Sequence, residues 1–92
     1  MGYDFEWSPE KSASNRKKHG VTFEEATTAF ADPRSLNQFD PDHSVDEDRY
    51  ILLGRSQFGR ILVVSYTDRP PRTRIISARL ATRRERNQYE QP

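Results

Sequence analysis

The chain begins with aromatic and acidic residues in strict alternation. Tyr3, Phe5 and Trp7 are separated by Asp4 and Glu6, a period of two that is typical of a half-buried β-strand. The alternation stops after the tryptophan, where a serine and a proline follow. A short first strand is therefore predicted at this end of the chain.

Two helices are predicted after this strand. Ser8 supplies an N-cap and Pro9 occupies the first helical position, so the first helix runs to about Lys18, and Gly20 ends it. The body of this helix has almost no apolar face. Such a helix is stabilised by its caps and by neighbouring elements, or it packs against a polar surface.

The second helix opens with a capping box, in which Thr22 is the N-cap and Glu25 is the acid three residues later. Phe23, Ala26 and Phe30 follow at helical spacing and form one apolar stripe. The Asp-Pro pair that comes next ends the helix. We expect the two phenylalanines to lie in the core.

The rest of the chain consists mainly of apolar runs separated by short turns. Strands are predicted at 49–54, 61–67 and 72–79, after a short edge strand at 35–39 and an acidic loop at 40–48. The run at 61–67 is the most apolar and is predicted as a central strand. Because short connections make neighbouring strands antiparallel, the predicted fold is α+β. It has a small antiparallel sheet of four to five strands, with two N-terminal helices and a C-terminal helix packed on one face.

The last predicted strand ends in an arginine. Strict alternation along this strand places Arg79 on the same face as Thr73 and Ile75, at the point where strand becomes loop. Functional side chains are common at such positions because a rigid element supports them. The structural alternative is an arginine that pairs with one of the acids of the first half or reaches past the apolar surface to water.

A second capping box, formed by Thr82 and Glu85, predicts a C-terminal helix with Arg83 and Arg84 at its first two positions. Cations there oppose the helix macrodipole by up to about 1 kcal/mol each, so helix stability alone would not favour them. The free N–H groups of the same turn attract an anion. These arginines therefore indicate a phosphate site.

The distribution of charge also favours phosphate binding. Residues 1–50 carry six Lys/Arg against eleven Asp/Glu, whereas residues 51–92 carry nine arginines against three acids. The net charge of +1 thus combines a balance of −5 with one of +6. The planar guanidinium of arginine can bind two phosphate oxygens at once, whereas the ammonium group of lysine cannot. The alternative for this half of the chain is a solvated charged surface.

Length and composition set further limits. Ninety-two residues, 33% hydrophobic and 32% charged, predict one domain spanning 1–92 with a modest core. The absence of cysteine excludes disulfides and thiolate sites. Because no apolar run is long enough to cross a bilayer and the first residues lack the features of a signal peptide, we expect a soluble, cytoplasmic protein.

Two further side chains are candidates for proton transfer. His43 lies in the acidic loop, where carboxylates favour the imidazolium form, so it could act as an acid or as a charged clamp. The alternatives are a solvated loop and a hard-cation site, although the loop lacks the glycine and ligand spacing of a calcium site. Tyr89 could stack on a base or donate a proton, or it could anchor the last helix.

The remaining cations have a structural explanation. Lys18 and His19 complement the dipole at the end of the first helix, so a function for them is not required. We predict neither a metal site nor a cofactor, because metal-ligand motifs and phosphate-binding glycine loops are missing from the sequence.

Several long blocks of the sequence form a recognisable series. They are F-E-W-S-P-E-K-S-A-S-N-R-K-K-H-G-V-T-F-E-E-A, A-D-P, I-L-L-G-R-S and R-I-I-S-A-R-L-A-T-R-R-E-R-N-Q-Y-E. Together these blocks resemble the BrnT family. The resemblance extends from Phe5 to Glu90 and keeps the blocks in order. Family members often carry a second arginine at the end of the last strand, where this chain has Leu80. The phosphate contact of that second arginine is then missing, so phosphate binding depends more on Arg79.

This resemblance implies a toxin of a bacterial type II toxin–antitoxin module, similar in fold to RelE-type ribonucleases. It implies a metal-independent endoribonuclease that cuts RNA and arrests translation and growth. The implied partner is a BrnA antitoxin, which neutralises the toxin by direct contact and carries a ribbon-helix-helix DNA-binding region. Operator DNA is then reached through the antitoxin.

The residues are assigned to roles on this basis. Metal-free RNA cleavage needs a group that removes the 2′-OH proton, cations for the phosphorane and an acid for the leaving oxygen. Arg79 and Arg83 are assigned to the phosphate, and His43 and Tyr89 to proton transfer. The residues assigned to other RNA contacts are Arg55, Lys18, His19, Arg84 and Arg86.

Two other functions remain open at this point. One is a nucleic-acid-binding module without catalysis, such as a co-repressor whose arginine face contacts phosphates. The other is a small protein whose cationic surface only docks an acidic segment of an antitoxin.

Overall fold

The computed structural model describes residues 4–91, so Tyr3 of the predicted first strand lies outside the described residues. Within this range, three helices and five strands follow one another in the predicted order. They are β1 (Phe5–Glu6), α1 (Pro9–His19), α2 (Phe23–Ala29), β2 (Leu36–Phe39), a 3₁₀ turn (Pro41–His43), β3 (Arg49–Arg55), β4 (Ile61–Arg69), β5 (Arg72–Leu80) and α3 (Arg83–Glu90).

The five strands form one sheet in the order β1-β5-β4-β3-β2, with β4 at its centre and β2 at one edge. β2 to β5 pair antiparallel, whereas β1 runs parallel to β5. Short turns force antiparallel pairing, but β1 is separated from β5 by two helices and three strands, so that rule does not apply to it. The α+β class and the edge position of β2 are confirmed.

The capping box predicted for α2 is only half formed. Thr22 Oγ1 accepts a hydrogen bond from the backbone N–H of Glu25 at 3.0 Å, but the Glu25 carboxylate turns inward and is 2% exposed. It accepts hydrogen bonds from Ser56 Oγ at 2.7 Å and Arg60 Nε at 2.9 Å, and it also contacts Arg60 Nη2. A guanidinium is a stronger partner than a backbone N–H. Glu25 therefore joins α2 to the β3–β4 hairpin.

The main core lies between the sheet and the two N-terminal helices. The predicted stripe of Phe23, Ala26 and Phe30 is buried there, against Leu62, Val64 and other residues of the same sheet face. Burial of this apolar surface, at roughly 25 cal/mol per Å², is the main force that holds α2 on the sheet.

The polar helix α1 docks through an asparagine. Asn15 is its buried residue, and its Nδ2 donates to the carbonyl oxygens of Val21 at 2.9 Å and Ala78 at 2.8 Å. The backbone N–H of Ala78 donates back to Asn15 Oδ1 at 3.1 Å. Within the described residues, β1 pairs with β5 only at Thr73 and Arg74, so the asparagine amide takes the place of a strand partner farther along β5.

The C-terminal helix lies on the other face of the sheet. Tyr89 of α3 packs with Leu53, Ile61, Val63 and Ala81 in a second, smaller core. Leu53 and Val63 point away from the main core because neighbouring strand residues alternate between faces. The prediction that the helices share one face is therefore right for α1 and α2 and wrong for α3.

A β-bulge in β5 changes which residues share a face. Ser65 pairs with Ser77 but the next residue, Tyr66, pairs with Ile75, so Ile76 is an extra residue in the strand. Ile75 lies in the main core, while Arg79 lies on the opposite face. The prediction that these two share a face is wrong, because strict alternation cannot continue through a bulge. The result is an arginine on the face that α1 and α2 leave open.

Candidate functional site

A cavity of about 280 Å³ lies on this open face, between the sheet and the acidic loop. His43 comes from the loop, Arg49 from the start of β3 and Arg79 from the end of β5. The side chains of Ser65 and Ser77 line the cavity from the two central strands. Two of the predicted site residues, His43 and Arg79, are thus brought together from positions 36 apart in the chain.

Arg79 is held in place by a bidentate ion pair. Its Nη1 donates to Glu85 Oε1 at 2.8 Å and its Nη2 donates to Glu85 Oε2 at 3.0 Å. Nη1 also lies 3.2 Å from the carbonyl oxygen of Leu80. The hydrogen bond to Glu85 raises the pKa of Arg79. The guanidinium is fixed, permanently charged and still 41% exposed, so it can meet an anion without a change of position.

Glu85 has two roles at once. Its Oε1 accepts from the backbone N–H of Thr82 at 2.8 Å, which completes the second predicted capping box. The hydrogen bond from Arg79 is the largest cause that lowers the pKa of Glu85 to about 2. The same carboxylate therefore caps α3 and positions the arginine of the preceding strand.

His43 is positioned by an acid of its own loop. Its Nδ1 lies 2.8 Å from Asp40 Oδ2, and its side chain is 67% exposed while that of Asp40 is 13% exposed. Asp40 is itself tied down, because its backbone N–H donates to the carbonyl of Arg49 at 2.9 Å. The imidazole stands at the rim of the cavity, where a ligand can reach it.

Arg49 is a site residue that sequence reasoning missed. Its backbone is fixed by a 2.9 Å hydrogen bond from its N–H to Ser44 Oγ. Within residues 4–91 its guanidinium makes no hydrogen bond or ion pair. Its charge acts on the Glu47 carboxylate, which pairs with Arg69, and its side chain lines the cavity. A basic residue directly after an acidic loop is the only signal in the sequence, and the pairing of β3 with β4 is what turns it toward Arg79.

Tyr89 lies in a separate cluster. It is 8% exposed, and its hydroxyl donates to Asp32 Oδ2 at 2.5 Å. The backbone N–H of Arg55 donates to the same oxygen at 2.8 Å, and the Arg55 guanidinium lies 5.7 Å from the centre of the tyrosine ring. Burial and the hydrogen bond to Asp32 raise the pKa of Tyr89. Tyr89 anchors α3 in this structure, which corresponds to the structural alternative for it.

The other predicted RNA contacts lie around these clusters. Arg83, Arg84 and Arg86 are exposed on α3, and Arg86 Nη1 donates to the carbonyl of Ala81 at 3.3 Å. Lys18 and His19 lie at the end of α1, which packs on the opposite face of the sheet. The side chains that line the cavity, all within residues 4–91, include none of these five or Arg55.

Across residues 4–91, no group of three or more His, Cys, Asp or Glu side chains is placed to hold a metal ion. Every helix in this range is too short or too polar to span a bilayer.

Comparison with protein families identifies the chain as a ribonuclease toxin of a type II toxin–antitoxin system. The family is BrnT, whose family model matches residues 7–85, and the chain belongs to it. A search of curated protein sequences gives no match.

A solved structure shares the fold. The 1.1 Å crystal structure of the Brucella abortus ribonuclease toxin BrnT matches with a TM-score of 0.64 at 20% identity, over 88% of this chain and 99% of the other. At this identity the likeness shows the fold alone. The resemblance expected from the sequence is confirmed at the level of the family, and the roles of individual residues rest on the geometry of this chain.

Proposed function

We propose that this toxin cleaves RNA in the cavity on the open face of the sheet, without a metal ion. The observation that carries the proposal is the meeting of Arg79, Arg49 and His43 around one space of about 280 Å³. Two cations and a histidine supply the charge and the proton carrier that phosphodiester cleavage needs.

Arg79 and Arg49 stabilise the negative charge that develops on the phosphate. Arg79 is held by Glu85 before any substrate arrives, which is the preorganised arrangement that lowers a barrier most. Arg49 makes no ion pair within residues 4–91, although its charge acts on Glu47, so a phosphate can bind it without breaking a salt bridge. The two arginines together replace the function that a metal ion performs in other nucleases.

His43 moves the proton. An ionised Asp40 only accepts hydrogen bonds, so Nδ1 carries a hydrogen toward it and Nε2 is left for the RNA. In this tautomer Nε2 can take the proton from the ribose 2′-OH or return it to the leaving oxygen. Tyr89, which does not line the cavity, stays a prediction for this role.

The exposed arginines of α3 bind the RNA backbone outside the cavity. Arg83, Arg84 and Arg86 extend the positive surface from Arg79 along the helix. Phosphate contacts of this kind position the nucleic acid and weaken as salt rises. Arg55, Lys18 and His19 are second-tier candidates for the same task. Activity on cellular RNA places the toxin in the cytoplasm.

The neutralising partner is a BrnA-type antitoxin. Membership of a type II family implies an antitoxin protein. We propose that it carries a ribbon-helix-helix region, blocks the toxin by direct contact and brings the complex to operator DNA. Co-expression of an adjacent gene product of this type should relieve growth arrest and yield a complex that binds its own operator.

The central test is cleavage of labelled RNA by purified toxin in the presence of EDTA. The toxin should cut the RNA, and Arg79→Ala should lower the rate about 100-fold or more while the protein stays folded, because a preorganised charge contact is lost. Arg72→Ala is the matched control, since it removes an exposed arginine at the other end of the same strand. RNA that is retarded but intact would support the non-catalytic module, and an unchanged rate in Arg79→Ala would remove Arg79 from the site.

A further inference from the structure

A second, smaller cavity adjoins the first on the open face. It has a volume of about 120 Å³ and extends from Arg79 toward the edge strand β2 and the helix α3. Ile51, Val63 and Arg79 line both cavities, so the two spaces form one groove with Arg79 at the division. Nothing in the proposed cleavage chemistry uses this second part of the groove.

The floor of the smaller cavity is apolar. Ile51 and Leu53 of β3 and Val63 of β4 form it, and Leu53 and Val63 pair directly across the two strands. Neighbouring aliphatic side chains on one sheet face make a flat surface. Leu53 and Val63 are only 7% and 6% exposed, so the partly buried Ile51 and the exposed Leu36 offer most of the apolar surface to a planar ring.

The walls carry two amides. Gln38 projects from β2 on one side, and Gln88 projects from α3 on the other. Both residues are exposed, and within residues 4–91 neither side-chain amide makes a hydrogen bond. An amide offers a donor and an acceptor together, which is the combination that reads the edge of a nucleic-acid base.

Size and position then identify the ligand. A space of about 120 Å³ is well below the ~300 Å³ of pockets that enclose a larger ligand, so it suits a single ring system. Sequence-specific recognition of RNA uses unstacked bases that lie on a surface and are hydrogen-bonded along their edges. Arg79, at the boundary between the two cavities, contacts the phosphate next to this base in the RNA strand.

We infer that this cavity is a base-specificity subsite, in which one RNA base next to the cleaved phosphate lies on Ile51 and Leu36 and is read by Gln38 and Gln88. The inference rests on the proposed function, because the base is placed by a phosphate at Arg79. The subsite gives the toxin a preference for one nucleotide beside the cut.

The test is to map cut sites on a randomised RNA for the toxin and for Gln38→Leu and Gln88→Leu. Leucine keeps a similar size but removes the donor and acceptor. The preference at one position beside the cut should fall about tenfold in at least one variant, the size expected for loss of one bidentate base contact. Asn87→Leu, an exposed neighbour of Gln88 that does not line the cavity, should cut with the original preference.

Each outcome separates the subsite from the cleavage chemistry. A toxin that cuts RNA while both glutamine variants keep its base preference would overturn the subsite and leave the proposed function intact. Loss of antitoxin binding in these variants with an unchanged cut pattern would also overturn it, because the groove would then hold a protein segment. A toxin that makes no cut at all would overturn the proposed function and the subsite with it.

Discussion

Within residues 4–91, two arginine–glutamate pairs connect a helix to a strand or to the β3–β4 hairpin, and they differ in which partner is buried. In the inner pair, the Glu25 side chain is 3% exposed and that of Arg60 is 37% exposed. In the outer pair, Arg79 is 41% exposed and Glu85 is 28% exposed. The inner pair surrounds a buried carboxylate, whereas the outer pair presents a guanidinium to a cavity.

This difference gives the same chemical pair two different roles. Glu25 also accepts from Ser56, and Arg60 also donates to the carbonyl of Gly20 at 3.1 Å, so the inner pair closes contacts among α1, α2 and the hairpin. The outer pair leaves part of Arg79 free to meet a ligand on the open face. Loss of the inner pair should therefore cost stability, and loss of the outer arginine should cost activity.

Glu25→Ala should have the largest effect on stability. It removes a buried carboxylate that fixes both Arg60 and Ser56 and should lower the free energy of unfolding by about 3 kcal/mol. This value is at the low end for buried pairs, because Arg60 can turn to water once it is released. Urea unfolding at neutral pH measures the change.

The matched control for this change is Glu24→Ala, which removes an exposed acid one position earlier in α2. It should alter the free energy of unfolding by less than about 0.5 kcal/mol. Equal losses in the two variants would mean that helix charge, and not the buried pair, is responsible. The folded fraction of Glu25→Ala should still cut RNA, since the open face is unchanged.

Tyr89→Phe should have a smaller effect and tests how the outer pair is supported. It removes the hydroxyl that donates to Asp32 and should cost about 1 kcal/mol of stability, because the acceptor stays partly buried. Cleavage by the folded protein should remain within a few-fold of the original rate, since Tyr89 anchors α3 from outside the cavity. Thermal unfolding and an RNA cleavage assay measure the two quantities.

Tyr50→Phe is a suitable comparison, because within residues 4–91 the hydroxyl of Tyr50 makes no hydrogen bond. It should leave stability almost unchanged. A fall in cleavage of more than tenfold in Tyr89→Phe, with stability preserved, would return Tyr89 to the group of proton-transfer candidates.

Local features of the fold follow directly from the sequence. Ser8, Gly20 and Thr82 mark helix ends through hydrogen bonds or dihedral angles that involve residues only a few positions away. The alternation of apolar and polar residues likewise identifies strands, because it depends on which face of a single strand is buried. These predictions succeed since the physics that decides them is short in range.

Features that depend on distant partners are not contained in such patterns. Glu25 fits a capping box perfectly by spacing, but Arg60, 35 residues away, is a stronger partner. The bulge at Ile76 is set by the pairing of β4 with β5 and moves Arg79 to the open face. For the same reason, the sequence identifies Arg79 and His43 as separate candidates. It does not predict that they line one cavity or that Arg49 joins them, because both depend on how the strands pair.

The smallest expected effect concerns the acid side of the outer pair. The contact with Arg79, together with the hydrogen bonds from Thr82, lowers the pKa of Glu85 from 4.5 to about 2, so the folded state binds the Glu85 proton more weakly than the unfolded state does. The stabilisation from this pair is therefore complete above pH 4.5 and is lost as the pH falls toward 2.

Glu85→Gln keeps the size of the side chain but cannot ionise. The difference in unfolding free energy between the toxin and this variant should be no more than about 1 kcal/mol at pH 7, because both side chains reach solvent, and it should shrink as the solution is acidified from pH 4.5. Glu90→Gln, at the exposed end of the same helix, serves as the control. A difference that stays constant down to pH 2 would show that the negative charge of Glu85 contributes nothing to stability, through either Arg79 or Thr82, and that the strand positions Arg79 without it.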